Sequence, residues 1–167
     1  MPSIFVNYRL SIGIFLLFCL MGVGARWAIG TVYSSGEAID LMNALASSGL
    51  YLGSASATAS ATVIALMLTL TGMIRKMDAE FDIPVWKSID RVSQLSIYSL
   101  LASLTLLLAL VFPIGEFDKL PANWFVRLYD MLFALTVLAI ALLAATAVML
   151  YSTLRAVIRA ITPSDDV

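Results

Sequence analysis

The sequence contains no histidine. Histidine is the side chain that titrates near neutral pH, and it is the commonest nitrogen ligand of metals and haem. Its absence excludes His-ligated haem, His-containing metal sites and His-based proton relay. Cysteine occurs once, as Cys19 inside an apolar run. One cysteine allows no disulfide within the chain and no zinc or iron–sulfur cluster. It reads as a small hydrophobe. Leu16-Leu17-Phe18-Cys19 is a poor lipidation box, because bulky Phe18 sits where a small residue is needed.

Charge is also scarce. Charged residues make up 13% of the chain, against about 25% in an ordinary soluble domain. Ten Lys and Arg against eleven Asp and Glu leave a formal charge of -1. Such a chain has no basic field for nucleic-acid phosphates, so no nucleic-acid partner is expected. No nucleophile–base pair, glycine-rich phosphate loop or metal-ligand spacing is present in the 167 residues. The expectation is a protein that is not an enzyme and uses no cofactor and no metal.

What the chain has in excess is apolar side chain. The hydrophobic fraction is 61%, against about 45–50% in soluble domains, and the mean hydropathy is +0.97. A soluble fold of this size has too little interior to hide that much, so the excess is expected to face a lipid bilayer. Four apolar runs stand out, at residues 10–29, 50–74, 92–114 and 128–151. Each is about long enough to cross a ~30 Å hydrocarbon core at 1.5 Å per residue. The first run also has the parts of a signal peptide, with Arg9 ahead of it and Val23-Gly24-Ala25 near its end. We read it as a span. Together the runs predict an all-α, integral membrane bundle of four transmembrane helices, with residues 1–167 as one domain.

The connections carry their own signals. Ser34 and Glu37 match a capping box. Ile39, Met42, Leu45 and Ala46 follow at helical spacing, and Gly49 fits a C-terminal cap. This predicts a short amphipathic outer helix over 36–48, between the first and second spans. Pro84 and Pro121 mark the starts of the third and fourth helices, and Thr162-Pro163 stops the fourth near Ile161. Seven of the ten Lys and Arg (Arg9, Arg75, Lys76, Lys87, Arg91, Arg155, Arg159) fall on the side of the termini and the middle loop. The positive-inside rule therefore predicts a multi-pass protein with both termini cytoplasmic. Trp27, Tyr33, Tyr51, Trp124 and Tyr129 would mark the outer interface, and Tyr8, Trp86 and Tyr151 the inner one.

The second span is unusual. From Gly53 to Val63 nearly every side chain is small and every second one is a hydroxyl. Strict alternation also fits a strand, but a lone strand in lipid would leave its backbone unpaired, so a helix is expected. Ser54, Thr58, Thr62 and Thr69 share one stripe and are the expected lining of a pore. Gly53, Ala57, Ala61 and Ala65 form a second stripe, expected to pack helix on helix in the small-xxx-small mode. Ser96, Ser99 and Ser103 of the third span form a matching hydroxyl face, also expected at a helix contact. Leu106, in a leucine-rich run, is expected to face lipid. Ionisable groups avoid the centres of the spans. The deepest is Asp130, expected in an interfacial ion pair with Arg26 or Arg127. The solvated acidic residues of the connections, Glu37 and Asp40 among them, are read as loop charge.

Two functions fit these features. One is a homo-oligomeric pore or channel for ions or small solutes, lined by the second span. The other is a non-catalytic structural or accessory subunit of a larger membrane complex. The expected partners are the lipid bilayer and copies of the chain or other membrane subunits.

Overall fold

The computed structural model of the chain describes residues 2–30, 35–76, 83–111 and 122–161. These form four helices, α1 (Pro2–Ile29), α2 (Ser35–Lys76), α3 (Ile83–Val111) and α4 (Ala122–Ile161). Each is long and apolar enough to cross a membrane, over Arg9–Ala28, Asn43–Ile74, Trp86–Val111 and Val126–Ile158. That is consistent with a multi-pass membrane protein. α3 has Pro84 in its first turn, where a missing N–H costs nothing, α4 is described from Ala122, next in sequence to Pro121, and it ends at Ile161 ahead of Thr162-Pro163.

The separate outer helix is a correction. Residues 36–48 are the first turns of α2, which runs unbroken for 42 residues, or roughly 63 Å at 1.5 Å per residue. Gly49 does not cap it. Gly49 is buried mid-helix, where a Cβ would lie 2.9 Å from Leu110 Cδ1. Its missing side chain lets α2 approach α3. Leu45, one of the apolar positions read there, packs with Leu41 against Tyr129 and Leu132 of α4. Ser34, the other half of the capping signal, lies outside the described residues.

α2, α3 and α4 pack mutually, while α1 lies on α4. The buried positions explain why. Along α2 they are Gly49, Gly53, Ser56, Ser60, Met67 and Ile74. Along α3 they are Ile89, Val92, Ser96, Ser99, Ser103 and Leu106. Both series advance by steps of three, four or seven, a 3.5-residue repeat that keeps one seam facing a partner. The two helices run antiparallel, with Gly53 opposite Leu106 and Leu107, Ser56 opposite Ser103 and Ser60 opposite Ser99. Leu106 is therefore core and not exterior, at 1% exposure, because it continues the Ser99–Ser103 register.

The interior is layered. An apolar cluster of Met67, Ile74, Ile89, Val92, Met149 and Val157 fills one end. Tyr129 and Leu132 fill the other with Leu41, Leu45, Leu110 and Phe133. Between them lies the serine seam. α1 contributes little to this core. Ser11 is buried and donates to the Ala145 carbonyl at 3.0 Å, and Gly22 is buried against Val137.

Candidate functional site

Hydroxyl groups divide into an inner set and an outer set. The inner set is Ser56 and Ser60 on α2 with Ser96, Ser99 and Ser103 on α3, all 2% exposed or less. Ser60 donates to Ser99 at 2.9 Å. The Ser103 hydroxyl is 2.8 Å from both Ser56 Oγ and the Ser99 carbonyl. It has one proton, so when that proton goes to the carbonyl, the contact with Ser56 uses the proton of Ser56. Ser96 donates to the Val92 carbonyl at 2.7 Å. Every member of the seam is thereby satisfied without water, as a buried polar group must be.

The outer set is Ser54, Thr58, Thr62 and Thr69, all exposed on the outside of the bundle. Thr58 donates to the Ser54 carbonyl at 2.9 Å, Thr62 to the Thr58 carbonyl at 2.8 Å and Thr69 to the Ala65 carbonyl at 3.0 Å. These bonds to the preceding turn use up each hydroxyl proton. What the threonines present outward is the acceptor side of the oxygen.

The small-residue stripe splits between the two environments. Gly53 is buried and Ala57 half-buried, but Ala61 and Ala65 are exposed. Each four-residue step turns by about 40° on a helix of 3.6 residues per turn, so three steps carry Ala65 roughly 120° away from Gly53. The α3-facing positions left out of that stripe are Ser56 and Ser60. Their signal was the alternation of three- and four-residue steps, which matches that of Ser96, Ser99 and Ser103. Tyr98 lies on the exterior at 60% exposure.

The outer face of α2 differs from those of α1 and α3. Between Leu52 and Leu66 its exposed residues are Ser54, Ala55, Thr58, Ala61, Thr62 and Ala65, with no large side chain among them. At comparable places α1 exposes Leu16, Leu17, Leu20 and Met21, and α3 exposes Ile97, Leu101, Leu104 and Leu108.

Asp130 is held by Arg26 and not by Arg127. Arg26 Nε donates to Asp130 Oδ1 at 2.7 Å, and Nη1 donates to the Gly30 carbonyl at 2.7 Å. The guanidinium also lies 5.8 Å from the centre of the Tyr129 ring, within cation–π range. Gly30 has φ 80°, the left-handed conformation that ends a helix, and its N–H donates to the Trp27 carbonyl at 3.2 Å. Arg127 is exposed. Sequence spacing could not choose between the two arginines, since the choice depends on α1 running antiparallel beside α4.

Comparison of the chain with protein-family models, with curated proteins and with solved structures finds no match.

Proposed function

We propose that this chain sits in a bilayer as a multi-pass protein and assembles with copies of itself into a pore for ions or small solutes. Ser54, Thr58, Thr62 and Thr69 line the conduit. The observation that carries this reading is the outer face of α2, which is small and hydroxyl-bearing at mid-span where the outer faces of α1 and α3 are rich in large apolar side chains. Lipid has no use for hydroxyls, whereas water or a partly dehydrated ion does. Because the threonine protons are used on the backbone, the stripe offers acceptors, which suits water and cations better than anions. The space between α2 and α3 is filled by serines that bond to one another, so a conduit along the outer face of α2 is one that subunits share. The Lys and Arg distribution supports a cytoplasmic location for both termini and the α2–α3 connection.

A second reading, a non-catalytic accessory subunit of a larger complex, draws on α1. That helix packs on α4 and leaves Leu16, Leu17, Leu20 and Met21 outward, a surface another membrane subunit would cover. Mass measurement after detergent extraction separates the readings. An assembly of this chain alone, conducting in liposomes, supports the pore. Obligate association with other gene products and no flux supports the accessory subunit.

A further inference from the structure

A groove of about 810 Å³ runs along the boundary of α1 and α4, beside the close contact of Gly22 with Val137, within the ~300–1,000 Å³ range of small-ligand sites. Its walls are apolar along most of their length, with Cys19, Val23, Phe133, Ala134, Val137 and Leu138 prominent. Its polar groups sit at one end, where Arg26, Asp130 and the Gly30 turn meet. From Asp130 to Leu138 α4 rises roughly 12 Å, most of the ~15 Å depth of one hydrocarbon leaflet. An apolar trough one leaflet deep with charge only at its interfacial end has the polarity profile of a phospholipid. A helix from a second copy fits worse, since it would press apolar side chains onto a charged pair that keeps 29% and 45% side-chain exposure and needs hydration or polar partners.

We infer that this groove binds a glycerophospholipid with a zwitterionic, primary-amine headgroup of the phosphatidylethanolamine type. The pair at its mouth is neutral overall and has two faces. Among the described residues the Arg26 fork uses Nε and Nη1, and the second terminal nitrogen carries two more N–H groups that suit a phosphate. Asp130 accepts from Arg26 through Oδ1, and its other oxygen suits an ammonium. A primary ammonium donates hydrogen bonds to a carboxylate. A quaternary choline has no N–H to give, and a purely anionic headgroup meets repulsion from Asp130. The Gly30 carbonyl and the Tyr129 ring hold the guanidinium in place, so little ordering is left to binding. This inference shares the bilayer with the proposed function but not the conduit, and its test reads no flux.

The test is native mass spectrometry of the full chain, purified in detergent with equal amounts of phosphatidylethanolamine, phosphatidylcholine and phosphatidylglycerol. One phosphatidylethanolamine per chain is expected to be retained about tenfold over the others, the equivalent of one charge-assisted hydrogen bond. Ala134→Leu, which fills the groove from an exposed position, should remove that adduct. Asp130→Asn turns the neutral pair into a net cation and should switch the preference to phosphatidylglycerol. Circular dichroism checks that both variants remain helical. Equal retention of all three lipids by the native chain overturns the inference. So does an adduct that survives Ala134→Leu, or a headgroup order that Asp130→Asn leaves unchanged.

Discussion

Gly22→Ala should loosen α1 from α4, although alanine is the better helix former. A Cβ at position 22 would lie 2.5 and 2.6 Å from the two Val137 methyls and 3.1 Å from Val137 Cβ, whereas carbon atoms rest at about 3.5–4.0 Å. Valine is stiff about χ1 in a helix, and rotation would still leave one methyl and the Val137 Cβ against the new carbon. Relief therefore needs α1 to retreat by about 1 Å. Ser11 to the Ala145 carbonyl at 3.0 Å and Arg26 to Asp130 at 2.7 Å lie on either side of this point, and both lengthen as α1 moves. Overpacking costs roughly 1–3 kcal/mol, while replacing a helical glycine returns about 0.5–1 kcal/mol. The net expected loss is about 1–2 kcal/mol, which at ~2–4 °C per kcal/mol lowers the melting temperature by about 2–8 °C. Thermal unfolding in detergent, followed by circular dichroism, reads this directly. Adding Val137→Ala should restore the loss, since it removes the methyls that the new Cβ meets. A melting temperature unchanged or raised by Gly22→Ala alone, with no rescue from Val137→Ala, would refute the close approach.

Leu106→Ala should cost about 1–2 kcal/mol, because in lipid the cavity part of the penalty remains when the transfer part is lost; Ala61→Leu, on the exterior, should leave the melting temperature of the single chain nearly unchanged. Thr153 has a buried hydroxyl with no partner among the described residues, so Thr153→Val should raise stability by up to about 1 kcal/mol in the same assay. A cysteine placed at Glu80 should resist an impermeant thiol reagent applied to intact cells and react once they are permeabilised; labelling from outside would reverse the orientation drawn from the Lys and Arg count.

The spans were legible because a run of apolar residues of bilayer length allows little else. The starts of α3 and α4 and the end of α4 were legible because the sequence carries Pro84, Pro121 and Pro163 within two residues of them, and proline removes a donor. Gly49 misled, because glycine serves equally as a helix cap and as a place of close approach, and only the presence of Leu110 opposite decides. The inner face of α2 was hidden by its own regularity. Hydroxyls at every second position fit any stripe, and the correct one is chosen by the three- and four-residue steps of α3. Leu106 was hidden for the related reason that leucine is as soluble in lipid as in a core, so composition carries no sign of its direction. Arg26 and Asp130 were legible as charges at one depth, but the groove beside them depends on how α1 seats against α4, which no local pattern encodes.

The central claim is that the outer hydroxyl face of α2 lines a shared conduit, and ion flux through liposomes holding only this chain, native against Thr62→Val, tests it most directly. Valine keeps the shape and removes the oxygen, and among the described residues Thr62 bonds within its own helix, to the Thr58 carbonyl. Assembly size should therefore be preserved while flux falls severalfold, and Thr62→Leu should block it further. Ser60→Val, which strands the buried Ser99 hydroxyl, should act on folding instead. Flux that is absent from a well-folded assembly of this chain alone, or equal in the native and Thr62→Val proteins, would contradict the claim.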